Sequence, residues 1–516
     1  MPWRPRAGCP RAGSPRLAFT TGSPVSETTS VRRSLGLVAL TKISVFVLGL
    51  LSVVIVSRLL TPQEIGVFSV SIAMIGFANL LREFGVGQYL VNVKELTRGA
   101  RRAAFTVTLS ISWSIAVLLF LVKSFAADFY REPDVERVME LMAINFIVLP
   151  FATPLRSVLQ REMQFSKLAV VDLSNSAMAA VATVLAAWWG AGSLSMAWGS
   201  IAGNLAALSA LVVISPRGAI DWPTTKGLRD VFRFGSRYSV ATFTTEIGMA
   251  APDLIMGRTL GFADVAYFSR ANGVIAMALG QLWRTANSVY SPLLAKAYRE
   301  KQDLKALYLR FNAMLLAVVL PAAGMLALLS GPLIELLFGA QWSRSAPLAS
   351  LLCVFFMCQA PVLLAPATLV ATGHVDLMMR CRVLSEFTRV ALLLSSVVVP
   401  LETVVLLLGI AYLAEGAIFT LALRARLRIG MRALWRSVGT CYGLVPMTVA
   451  LPAVAMFLLE HQGRHSSALQ IAVAGTLGVL CWFGSLRWLR HPMAEEVMTL
   501  LRKLLQGAAG LRRPRS

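Results

Sequence analysis

Arg58-Leu-Leu-Thr-Pro-Gln-Glu-Ile-Gly-Val-Phe-Ser69 returns 200 residues later as Arg258-Thr-Leu-Gly-Phe-Ala-Asp-Val-Ala-Tyr-Phe-Ser269. Arg58/Arg258, Leu60/Leu260, Glu64/Asp264, Ile65/Val265, Phe68/Phe268 and Ser69/Ser269 coincide in type. Each copy reads as a tight turn between two apolar stretches. A second echo lies further along: Pro150 and Pro154 recur as Pro361 and Pro366. Mid-span prolines remove a backbone hydrogen bond and kink a helix. The two matches, at corresponding helices, point to duplication of a six-helix unit. An even number of spans inserts both units in the same orientation. A pseudo-two-fold axis along the membrane normal is therefore expected, with a substrate path between the units.

Membrane insertion follows from the stretches between the turns. About fourteen apolar segments, each about 20 residues long, run over 35–488, and that length spans a hydrocarbon layer of about 30 Å. Composition agrees, at 56% hydrophobic and only 15% charged, which no water-soluble core of this length requires. The expected fold is an all-α polytopic membrane protein of about 14 transmembrane helices. It divides into a basic, disordered cytoplasmic tail over 1–33, six-helix bundles over 34–216 and 217–428, helices thirteen and fourteen over 429–490, and a basic tail over 491–516. In the first tail, Arg4, Arg6, Arg11 and Arg16 precede the first acid, Glu27, and no apolar core of a cleavable signal follows within it.

Charge fixes the orientation. Basic clusters such as Lys94, Arg98, Arg101 and Arg102, or Lys296, Arg299, Lys301 and Lys305, alternate with turns at 61–63 and 190–192 that hold no Arg or Lys. Arg156, Arg161 and Lys167 form another such cluster, and Arg380 and Arg382 a further one. Positive loops stay in the cytoplasm, so both termini are expected inside. A net charge of +23 would suggest nucleic acid in a soluble protein. At helix ends it suits anionic lipid headgroups instead, and no nucleic-acid partner is expected. Six Cys without a CxxC spacing and four scattered His indicate neither a disulfide framework nor a metal. No phosphate-binding loop or Ser/His/Asp grouping occurs, so neither catalytic residues nor a cofactor is expected. The longest external loop, near 123–137, is too short for a catalytic domain.

Charges inside apolar spans are the residues that function must explain, since each costs about 2.5–3.5 kcal/mol unless it faces a wet cavity or a partner. The cations are Lys42 in the first span, Arg270 and Arg284 in the eighth, and Arg389 in the eleventh. Arg270 and Arg284 are close to four helical turns apart and project from nearly one face, as two rungs for a moving anion. Arginine suits phosphate because its fork binds two oxygens. Duller roles stand beside these: snorkelling for Arg284 and Lys42, an ion pair with Glu386 for Arg389. The acids are Asp172 in the fifth span and Glu246 and Asp253 in the seventh. Buried carboxylates suit proton or cation coupling, although Arg258 is a candidate partner for Asp253. Gly199, Ser200, Ala202 and Gly203 read as a close-packing surface.

Four stretches carry a family resemblance: Leu60-Thr-Pro-Gln-Glu-Ile-Gly-Val-Phe68, Glu83-Phe-Gly-Val-Gly-Gln-Tyr-Leu-Val91, Leu159-Gln-Arg-Glu-Met-Gln-Phe165 and Tyr267-Phe-Ser-Arg-Ala271. In this order they resemble the polysaccharide-transporter branch of the multidrug/oligosaccharidyl-lipid/polysaccharide flippase superfamily. The resemblance implies an exporter, not an enzyme, in the bacterial inner membrane. It would move polyprenyl-pyrophosphate-linked oligosaccharide for O-antigen, capsule or exopolysaccharide. A glycan polymerase and chain-length machinery are the implied protein partners. The alternatives are a multidrug/cation antiporter of the same superfamily, whose site should be acidic and aromatic, and a membrane glycan polymerase, which should carry a large external loop.

Overall fold

The computed structural model describes residues 24–93, 95–215, 223–395, 399–463, 466–499 and 502, without the side chains of 24–39, 92, 230, 234 and 236–247. The expectations for 1–23, for Lys94, for the Glu246 side chain and for most of the last tail lie outside the described residues. All described regular structure is helical. The first unit comprises α1 (Pro24–Leu59), α2 (Pro62–Glu83), α3 (Val86–Asn92), α4 (Arg98–Tyr130), α5 (Pro133–Arg161), α6 (Phe165–Trp188) and α7 (Leu194–Ile214). The second comprises α8 (Leu228–Thr259), α9 (Phe262–Arg299), α10 (Leu304–Phe338), α11 (Ser345–Gln359), α12 (Ala365–Ala371), α13 (Val375–Leu394) and α14 (Leu401–Leu427). Two helices follow, α15 (Met431–His461) and α16 (Ser467–Trp488).

The protein is a multi-pass, all-α membrane protein. Among the described residues eleven spans are long and apolar enough to cross a membrane, with α2 running into α3 as Pro62–Val91 and α11 into α12 as Ser345–Ala371. Fourteen were expected. The shortfall falls on α8, α9 and α13, the helices that carry Asp253, Arg270, Arg284, Glu386 and Arg389 and are less apolar for it. The first helix starts at Pro24 instead of near residue 34.

Both turns of the repeat join the first two helices of their units. Thr61 caps α2: its hydroxyl accepts from the Glu64 N–H at 3.3 Å, while the Glu64 carboxylate accepts from the Thr61 N–H at 2.7 Å. This reciprocal box satisfies two donors that a helix start leaves open, and Pro62 starts the helix at no cost. In the second copy Gly261 takes the cap position at φ 100°, without a side-chain cap. The prolines behave differently in the two units. α5 continues through Pro150 and Pro154, whereas its counterpart breaks into α11, a 3-10 turn at Ala360–Val362, and α12. The broken backbone is satisfied from α10: Tyr308 Oη and Asn312 Nδ2 donate to the Pro361 carbonyl at 3.1 and 2.9 Å, as hydrocarbon requires.

One expectation is corrected. The stretch 123–137 is no loop, since α4 ends at Tyr130 and α5 begins at Pro133. Lys123 lies in α4 and bridges Glu136 and Glu140 of α5 at 3.4 and 3.0 Å. Opposite charges on facing helices extend the hairpin where isolated charges would have ended it. The small residues of α7 pack closely as expected: a Cβ on Gly199 would stand 1.7 Å from Thr183 Oγ1 of α6.

The units meet where α2 packs on α8 and α9. Val70 and Ile75 share one buried cluster with Met256, Phe262, Val265 and Phe268. Gly66 allows that approach, because a Cβ there would lie 1.8 Å from the Phe262 carbonyl oxygen. Backbone cannot retreat as a side chain can. Gly66→Ala is expected to cost about 1–3 kcal/mol and to lower the thermal unfolding midpoint in detergent. Gly280→Ala, facing open space, should not lower it; equal midpoints for the two variants would contradict this packing.

Candidate functional site

Besides the Lys123 cluster of the α4–α5 hairpin, three gatherings of charge among the described residues bear on function. The first lies in the basic half of the first unit, where α1, α5 and α6 converge. Asp172 accepts from Arg156 Nη2 at 2.7 Å on one oxygen and from Lys42 Nζ at 3.3 Å on the other. Two expected residues, Lys42 and Asp172, thus meet directly, and Arg156, a charge that the sequence places with the basic loops, joins them on the second oxygen. The Lys42 side chain is 69% exposed and Asp172 only 20%. Together they line a pocket of about 260 Å³. A neighbouring pocket of about 290 Å³ shares Arg156 and Gln160 and extends to Arg82, Asn175 and Asn204. Arg82 is nearly buried, with Glu83 at 3.5 Å and Asn79 Oδ1 at 3.4 Å. An amide relay crosses this interior: Asn175 donates to Asn204 at 3.3 Å, Asn204 to Asn145 at 2.9 Å, and Asn145 to the Ser200 hydroxyl at 3.2 Å.

In the second unit, α13 and α14 build an alternating ring of four charges. Arg389 binds Glu386 at 2.8 Å and Glu415 at 3.2 Å, and Arg382 binds Glu415 at 3.0 Å and approaches Glu386 at 3.8 Å. Both glutamates are about 5–6% exposed. The Arg389 guanidinium also lies 5.5 Å from the Tyr412 ring centre. Arg389 is therefore an ion-paired residue, and the pair with Glu386 foreseen from spacing is half of a larger cluster. Arg382 and Glu415 face a pocket of about 230 Å³ that reaches Trp283 and Gln359. Glu415, missed before, was visible as the one acid deep inside the span 401–427.

Arg270 occupies the third place, at the end away from the basic loops. Its guanidinium lies 5.7 Å from the Phe338 ring centre and 5.3 Å from that of Trp342, and its buried Nε has no hydrogen-bond partner. Two aromatic faces replace hydration for this cation. Trp342 is fully buried and donates from Nε1 to the Ser57 carbonyl at 2.8 Å. Gln341 donates to the carbonyls of Ser57 and Leu60 at 2.7 and 3.2 Å. In return Arg58 donates to the carbonyls of Leu336 and Leu337. α1 and α10 both end here, so each unit caps the carbonyls that the other's helix leaves open. Arg284, by contrast, is exposed and bonds Gln281 at 3.2 and 3.0 Å. The two arginines share a helix but not an environment.

Asp253 makes no hydrogen bond or ion pair among the described residues. Arg258, its expected partner, instead lies 5.3 Å from the Phe129 ring centre. No group of three or more metal-binding side chains occurs among the described residues.

Residues 55–347 match a family model described as polysaccharide biosynthesis protein. The chain is 21% identical, over 68% of its length, to 71% of the lipopolysaccharide biosynthesis protein WzxC of Escherichia coli. It is 25% identical, over 64% of its length, to 67% of the succinoglycan biosynthesis transport protein ExoT of Rhizobium meliloti. Among solved structures, lipid II flippase MurJ in an inward closed conformation superposes with a TM-score of 0.69 at 11% identity, covering 88% of this chain and all of that one. An inward-facing multidrug resistance transporter of the MATE family gives 0.60 at 15%, covering 75% and 95%. At such identities the structures establish a shared fold.

Breaking the four-charge ring at Glu415 leaves two guanidiniums to share one buried carboxylate, Glu386. Glu415→Gln is expected to cost about 3–5 kcal/mol, read as a lower unfolding midpoint in detergent. Adding Arg389→Gln should recover part of that loss. Purely additive losses in the double variant would show that the two residues do not stabilise one another.

Proposed function

The chain belongs to the polysaccharide biosynthesis protein family, and from that premise we propose that it is a lipid-linked oligosaccharide flippase. Its substrate is polyprenyl-pyrophosphate-linked oligosaccharide, carried across the bacterial inner membrane towards O-antigen, capsule or exopolysaccharide. The relatives named for lipopolysaccharide and succinoglycan biosynthesis and the flippase among the structural neighbours support this reading. The observation that carries it is the polar interior of the first unit, where Lys42, Arg82 and Arg156 meet an amide relay. A pyrophosphate needs cations and a glycan needs hydrogen-bonding partners, and hydrocarbon supplies neither.

Within this reading the basic loops and both termini lie in the cytoplasm, next to anionic headgroups. Lys42, with Arg156, meets the pyrophosphate on the inner side, and Arg270 meets it near the outer end. Arg284 stands further along α9, exposed and bonded to Gln281, and Arg389 holds the second unit's ring beside its pocket. The cross-unit caps at Ser57, Leu60, Leu336 and Leu337 must part for outward release. Asp253, a carboxylate without a partner among the described residues, is the group assigned to ion coupling, and Glu246 joins it on sequence grounds alone. Asp172, held by two cations, serves coupling only when the substrate takes those cations from it. The protein does transport and no catalysis, and polymerase and chain-length machinery act on its product. Guanidinium-lined pockets disfavour the antiporter alternative, because a lipophilic cation needs the opposite charge.

Deletion of the gene is expected to abolish surface glycan and to accumulate lipid-linked intermediates on the cytoplasmic side. Normal glycan combined with altered drug sensitivity would favour the antiporter instead. Arg270→Ala should abolish export at near-normal protein level, and Arg270→Lys should retain part of it, since charge survives while the fork is lost. Export at the parental rate in Arg270→Ala would remove this residue from the pathway. Asp134→Cys should be labelled by an impermeant reagent from outside and Lys301→Cys shielded; the reverse pattern would sink the orientation.

A further inference from the structure

The amide relay in the first unit exceeds what an anion pathway needs. Asn145 is buried, and with Asn204 and Asn175 it joins α5, α7 and α6 in a single directed chain ending at the Ser200 hydroxyl. Leucines there would pack three helices at lower cost, because each buried amide must find partners. The relay leaves its spare capacity at one end. Asn175 spends one N–H on Asn204, and among the described residues its Oδ1 and second N–H have no partner. That end lines the 290 Å³ pocket, beside Arg156 and Gln160. Paired donors and acceptors on rigid planar amides are what ring hydroxyls require, since each hydroxyl both gives and takes a hydrogen bond.

The pocket's mouth supplies the other half of a ligand. Asp172 places one carboxylate oxygen on Arg156 and the other on Lys42, as two oxygens of a phosphate would sit. Arg156 lines both pockets, so a phosphate there sets its attached sugar next to Asn175. The volume suits one sugar ring better than a whole oligosaccharide.

We propose that this pocket is the subsite for the phosphate-proximal sugar of the transported lipid. Asn175 and Gln160 bind its hydroxyls, Arg156 and Lys42 its phosphate, and Asp172 is the internal counter-ion that the phosphate displaces. The subsite rests on the flippase reading and adds to it a place where the sugar is chosen. Selection lies in the first unit alone, away from Arg270.

The test measures binding of synthetic farnesyl pyrophosphate, bare or bearing glucose, galactose or N-acetylglucosamine, to the purified full-length protein in nanodiscs. The parental protein should bind at least one sugar-bearing probe about tenfold more tightly than the bare one, as one or two added hydrogen bonds to buried groups would give. Asn175→Leu should erase that preference and leave bare-probe affinity unchanged. Arg156→Gln should weaken all four probes. Gln160→Ala, at an exposed rim position, should reduce the preference partially even if Asn175→Leu fails to fold. Three results would overturn the subsite: no sugar preference in the parental protein, a preference that survives in both amide variants, or inorganic pyrophosphate competing as well as the sugar-bearing lipid. Failure of the parental protein to bind any prenyl pyrophosphate would overturn the flippase reading as well.

Discussion

A guanidinium inside a bilayer has no water to bond, and the architecture of this chain follows from how it meets that need. Three arginines illustrate three solutions. Arg156 takes a carboxylate oxygen of Asp172 at the edge of a pocket. Arg389 takes two glutamates in a closed ring. Arg270 takes two aromatic faces and leaves its Nε unpartnered. The Nε of Arg389 is unpartnered as well, so the difference lies in charge: ring members neutralise one another, whereas Arg270 has no ion pair among the described residues. An uncompensated cation is costly to keep, and transport of a pyrophosphate supplies a reason to keep it.

The same economy holds the two units together. Each unit lends side chains to the exposed carbonyls of the other's terminating helix, Arg58 to α10 and Gln341 and Trp342 to α1. Trp342 is thus both the cap on α1 and one of the two faces beneath Arg270. A ligand that drew Arg270 away would loosen the residue that joins the units.

Much of this was legible in the residues. The 200-residue echo located both first turns, and apolar lengths located most helices. Lys42, Arg270, Arg389, Asp172 and Asp253 stood out because a charge in an apolar run is visible without coordinates. Arg156 and Arg382 were hidden because a charge near a span's end reads the same whether it snorkels to headgroups or turns inward. Arg270's partners were invisible for another reason: Phe338 and Trp342 lie on a different helix and the turn after it, so no local spacing connects them. The α4–α5 hairpin was misread because Lys123, Glu136 and Glu140 look like loop residues until they are seen to neutralise one another across facing helices.

Selection at the first unit's pocket, passage past α9 and closure at the Trp342 seam are useful only if the protein itself moves the lipid between leaflets. The most direct measurement is reconstitution into liposomes carrying a prenyl-pyrophosphate-linked oligosaccharide, with leaflet position read by a membrane-impermeant glycosidase. The account predicts that the protein makes the inner-leaflet pool accessible to the enzyme far faster than protein-free vesicles do. A protected pool that persists unchanged in the presence of folded protein would contradict it.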